Sequence, residues 1–104
     1  MATYRLAALF MLASSAAAAQ TLPGDPDQGR LLAQQSCISC HVIAPQMLQG
    51  LDDVPTFAAI ARNPATTELR LRVFLQTPHR PMPNFLMSLS EIDHVISYIL
   101  TLRR

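Results

Sequence analysis

The chain has 104 residues, a mass of 11.4 kDa, a formal charge of +1, half of its residues hydrophobic and only two cysteines. That length builds one small domain, which excludes multidomain enzymes and full (β/α)₈ barrels. Two cysteines cannot make a disulfide-dense scaffold, and a charge near zero offers no basic face for nucleic acid.

The first nineteen residues are a different kind of sequence. Residues 1–5 carry one positive charge, and residues 6–19 follow without any, ending Ala17-Ala18-Ala19 before Gln20. A basic head, an apolar run and small residues at the junction predict a secretory signal peptide over 1–19, with the working domain over 20–104. The apolar run is shorter than the roughly 18 residues of a spanning helix, so a retained anchor is the lesser reading. No stable membrane span is expected after cleavage. Cleavage leaves 85 residues, with seven arginines against seven acids. Export places the protein outside the cytoplasm, most simply in a bacterial periplasm.

Beyond the leader, the pattern predicts helices separated by proline-rich loops. Asp25 offers an N-cap, Pro26 a first helical position and Asp27 an anion in the first turn, for a helix over about 27–37 that buries Leu31, Leu32 and the stem of Gln35. A loop over 42–54 contains Pro45 and Gly50. Pro55 begins a short helix with Phe57 and Ile60 apolar, ending near Asn63-Pro64. A third helix fits 67–76, capped by Thr66, with Leu69, Leu71, Val73, Phe74 and Leu75 forming a wide buried face. Pro78, Pro81 and Pro83 forbid a regular element between them. In the last helix Ser88 and Glu91 fit a capping box, and Ile92, Val95, Ile96 and Ile99 hold the helical period up to Leu102. No strand is expected. The fold class is all-α.

The chemistry sits in Cys37-Ile38-Ser39-Cys40-His41. Two thiols three residues apart, followed at once by an imidazole, form the attachment site of c-type haem. Cys37 and Cys40 lie about one helical turn apart, so their sulfurs reach the two vinyl groups as thioethers, while His41 presents a ring nitrogen to iron. One covalent haem c per chain is therefore expected. A thiol–disulfide site would need a βαβ context, and a structural zinc would need four ligands with only His79 and His94 left to complete them. For the sixth iron position the mature methionines are Met47, Met82 and Met87. Met82, fenced by Pro81 and Pro83, is the first choice; Met87 and His79 are the alternatives, and a soft core filler is the ordinary role of a methionine.

These residues carry a family resemblance. From about Asp25 to Leu102 the chain resembles a small class I monohaem cytochrome c: Gly29 in the first helix, the Cys37–His41 motif, Pro45 just after it, the Met82-Pro83 loop, and Tyr98-Ile99-Leu100 in the last helix. The resemblance implies a bundle of four or so helices around the haem, with the first and last helices crossing near Gly29. It also implies that the Pro45 carbonyl accepts a hydrogen bond from the free ring nitrogen of His41. Departures from the family are an alanine, Ala33, where an aromatic often stands, no tryptophan for a haem propionate, and no lysine for a docking ring. Arg80 is the first substitute toward a propionate, with Arg62, Arg72 and Tyr98 as alternatives.

The implied activity is one-electron transfer between redox protein partners rather than enzymatic catalysis. A cytochrome subunit bound to a periplasmic dehydrogenase or oxidase is the runner-up. A haem-based sensor or peroxidase would need a labile or missing sixth ligand.

Overall fold

A computed structural model of the chain describes residues 21–47, 49–78 and 81–104. The expected leader over 1–19, His79 and Arg80 lie outside the described residues. Four helices run in order: α1 (Pro26–Ser36), α2 (Phe57–Arg62), α3 (Glu68–Gln76) and α4 (Leu89–Thr101). Among the described residues there is no strand.

The hub is α4, which packs on all three other helices and most extensively on α1. Its start is the expected capping box: the Ser88 amide donates to Glu91 Oε2 at 2.7 Å, and the Glu91 amide donates to Ser88 Oγ at 3.1 Å. Its apolar period buries Ile92, Val95, Ile96 and Ile99, each contributing about 1.5–3 kcal/mol of hydrophobic stabilisation.

Helix α1 begins as its sequence predicts, with Asp25 accepting from the Asp27 amide at 2.8 Å and Pro26 in the first turn. Its buried face is narrower than the leucines suggest: Gly29 and Ala33 are buried, Leu32 is half-buried, and Leu31 and Gln35 are exposed. The crossing with α4 selects the two small residues one turn apart, and at about 100° per residue Leu31 is then carried round the cylinder toward solvent. At Gly29 any Cβ would meet the His94 carbonyl of α4, with Tyr98 Cβ also at 2.9 Å, so the close approach requires glycine. The segment before α1 is tied down as well. The Gly24 amide donates to Ser97 Oγ at 2.7 Å, and the Asp25 amide donates to His94 Nδ1 at 2.9 Å.

Helix α3 corrects two expectations. Thr67, not Thr66, is its cap, accepting from the Arg70 amide at 3.1 Å, while the Thr66 amide is spent on the Asn63 carbonyl. Nor is its apolar face buried throughout: Leu71 is buried and Leu75 half-buried, but Leu69, Val73 and Phe74 are exposed at 69%, 56% and 48%. Five apolar residues in a nine-residue helix cover too wide an arc for the single helix, α4, against which α3 packs. Arg72 fixes that contact from the side, pairing with Glu68 at 3.1 Å and with Asp93 of α4 at 2.6 Å.

The Tyr98 hydroxyl donates to the Ile43 carbonyl at 2.6 Å, joining α4 to the loop that follows the cysteine motif. Removing it in Tyr98→Phe leaves that carbonyl unpaired in a buried place, and denaturant unfolding is expected to show a loss of about 1–3 kcal/mol. Burial pushes the Tyr98 phenol above its ordinary value of 10.0. The folded chain therefore favours the neutral phenol. Its contribution is complete below the ordinary phenol range and is lost as pH climbs toward the raised value, an alkaline limb that Tyr98→Phe removes.

Candidate functional site

The site begins where α1 ends. Cys37 is the C-cap of α1, its amide donating to the Ala33 carbonyl at 2.9 Å. The chain then turns tightly, with the amides of Cys40 and His41 both donating to the Cys37 carbonyl, at 3.2 and 2.9 Å. Both thiols are free and half-buried. Burial, and then the neighbouring Cys40, push the Cys37 thiol up to about 11. A disulfide-exchange cysteine needs the reverse, a lowered thiol, so the environment disfavours that alternative. Among the described residues no group of three or more His, Cys, Asp or Glu comes together; His79, one of the two histidines the zinc alternative would use, lies outside them.

His41 is only 8% exposed, with its ring packed against Phe57 at a centroid distance of 5.3 Å. Its Nδ1 lies 2.6 Å from the carbonyl of Pro55, not of Pro45 as the family resemblance implies. The reason is local. The Phe57 amide donates to the Val42 carbonyl at 2.9 Å, which draws the start of α2 beside the motif. Because α2 begins at Phe57 with Thr56 as its cap, Pro55 stands just outside the helix with its carbonyl available. A carbonyl can only accept, so Nδ1 carries the proton and Nε2 keeps its lone pair. Among the described residues Nε2 has no hydrogen-bond partner.

A cavity of about 370 Å³ joins these pieces. Cys37, His41, Met82 and Met87 all line it, between apolar walls from Leu71 and Leu75 of α3 and Val95 and Ile99 of α4. Cys40 follows in the same turn but is not on the lining. Of the two lining methionines, Met87 also packs against the buried core, as Met47 does; Met82 does not. Met47 is further committed, its sulfur accepting from the Ile43 amide at 3.4 Å. An apolar cavity of this size, lined by a histidine, a cysteine and two methionines, fits a flat macrocycle held at its edge and ligated at its centre.

The expected propionate partners are largely engaged elsewhere. Tyr98 is bound to Ile43, Arg72 to Glu68 and Asp93, and Arg62 Nε donates to the Arg104 carbonyl at 3.2 Å. His94 is not on the cavity; it binds the Asp25 amide and lies 3.3 Å from Ser90 Oγ. The sequence reading missed three neighbours of the site. Pro55 and Phe57 set His41, and Arg70 lines the cavity.

A helical chain with this motif at the mouth of such a cavity defines a class I monohaem cytochrome c, and the chain belongs to that family. It is 38% identical over 93 residues to cytochrome c-552 of Bradyrhizobium diazoefficiens, covering 89% of each chain. No family model matches the sequence, and no solved structure matches it.

Proposed function

We propose that the protein is an electron carrier that holds one haem c through Cys37 and Cys40, with His41 and Met82 as the two axial iron ligands. The observation that carries the reading is the His41 imidazole, pinned through Nδ1 to Pro55 in a residue that lines the same cavity as Met82.

When bound, the haem iron supplies a reversible one-electron couple. The protein's own residues do the rest. Cys37 and Cys40 would hold the group as two thioethers, each thiol giving its sulfur to one carbon of a vinyl group and its hydrogen to the other, an addition that needs no oxidant. The Pro55 carbonyl fixes the tautomer and plane of His41 and raises the basicity of Nε2. The thioether of Met82 favours the reduced iron and raises the potential. Leu71, Leu75, Val95 and Ile99 keep water from the couple, so little has to reorganise when an electron moves. With His41 and Met82 both holding the iron, no place would be left for a substrate, which fits a carrier serving redox protein partners.

Among the described residues no helix is long and apolar enough to cross a membrane. We take residues 1–19 as a cleaved export signal and the periplasm as the place of work. Intact-mass analysis of the exported protein tests attachment and processing together. The expected species begins at Gln20 and carries one haem that acid–organic extraction does not remove. Haem released by that extraction would contradict the attachment.

A further inference from the structure

We propose that Glu91 is a potential-setting residue of the redox site: its carboxylate, fixed at the cavity by the capping box of α4, sets a negative charge against the arriving electron and lowers the midpoint potential. The inference rests on the haem reading above and gives an acid of the helix start a second task.

Glu91 lines the cavity together with His41 and Met82, and among the described residues it is the one acid on that lining. It is half-buried, and its side chain is held in place. Oε2 accepts from the Ser88 amide at 2.7 Å, while the Glu91 amide donates to Ser88 Oγ at 3.1 Å. No arginine or histidine pairs with it among the described residues. The other acids are placed differently. Glu68 and Asp93 share Arg72, and Asp25 and Asp27 stand at the start of α1, off the cavity. Arg70 also lines the cavity, but it is exposed, where water and salt screen its charge.

Reduction adds one negative charge to the iron site. A fixed carboxylate repels that charge, and apolar walls from Leu71, Val95 and Ile99 weaken the repulsion far less than water would. Glu91 therefore opposes the thioether of Met82, which favours reduced iron. The same residue also has a structural task. The capping box fixes the point at which the chain leaving Met82 enters α4, so one pair of hydrogen bonds holds both the charge and the end of the ligand segment. Glutamine separates the two tasks. Its side-chain oxygen still accepts from the Ser88 amide, yet it carries no charge.

Spectroelectrochemical titration of the haem-loaded protein, paired with denaturant unfolding, reads the two tasks separately. Glu91→Gln is expected to raise the midpoint potential, moving the ratio of reduced to oxidised protein at a fixed ambient potential by about three- to tenfold. Its weak long-wavelength methionine–iron band and its denaturant midpoint should stay near the parent's. Glu91→Ala is expected to raise the potential as well and, lacking the box, to unfold at lower denaturant. Asp27→Asn, which neutralises an exposed acid off the cavity, should move the ratio by less than about twofold. A potential in Glu91→Gln that shifts no further than in Asp27→Asn, with the band intact, overturns the proposal and leaves the haem reading standing. A potential that moves only with loss of the band makes Glu91 a purely structural residue and overturns the proposal too. A parent protein with no covalent haem overturns both.

Discussion

Met82→Ala is expected to abolish the weak long-wavelength absorption band of a methionine–iron bond and to open the ferrous iron to carbon monoxide. The midpoint potential should fall by on the order of 0.1 V, a modest part of the roughly 0.8 V that axial ligands span. Met82 lines the cavity with His41 but is not packed into the buried core, so its loss removes a ligand rather than a pillar of the fold. Met87→Ala supplies the contrast. Met87 lines the same cavity yet packs against the core, so its truncation should cost about 1–2 kcal/mol of stability, less than a fully buried methionine, and leave the band in place. If Met87→Ala removes the band and Met82→Ala keeps it, the axial assignment is reversed.

The largest effect on folding is expected at Gly29. On an open helix face, glycine to alanine gains up to about 1 kcal/mol of helix propensity. Here the added Cβ falls on the His94 carbonyl and close to Tyr98 Cβ, and a backbone carbonyl inside a helix cannot turn aside as a flexible side chain would. The steric term wins. Helices α1 and α4 must separate, loosening Ala33 and the bonds from Gly24 and Asp25 to α4. Gly29→Ala should lose about 3 kcal/mol or more in denaturant unfolding of the haem-loaded protein, out of the roughly 5–15 kcal/mol typical of a small domain. The exposed neighbour Gln34→Ala should stay within about 0.5 kcal/mol of the parent.

The parts of the fold legible in the sequence were those written in local chemistry. The Ser88–Glu91 capping box, the Asp25-Pro26 start of α1 and the five residues from Cys37 to His41 each carry their meaning within a few positions. What escaped depends on residues distant in the chain. Leu31 and Phe74 look like core residues until the crossing partner of each helix is known, because periodicity marks an apolar face without giving its width. Pro55 rather than Pro45 holds His41, since only the pairing of Phe57 with Val42 brings α2 to the motif. Arg70 is as exposed as its sequence position suggests, yet it also lines the cavity, which exists only once α3, α4 and the His41 loop meet.

The haem reading also bears on how so short a chain is stabilised. The described residues form a small core, and several large apolar side chains, Leu75 and Ile60 among them, are only half-buried while lining the cavity. A bound macrocycle would complete their burial, which is how a small domain gains a core larger than its own side chains supply.

Potentiometric titration of the purified exported protein, followed in its visible spectrum, tests the central claim most directly. A carrier with His41 and Met82 on the iron should give a single one-electron wave, low-spin spectra in both oxidation states, and no response to carbon monoxide. A high-spin ferrous spectrum that carbon monoxide shifts, or a chain with no redox-active chromophore, would contradict it.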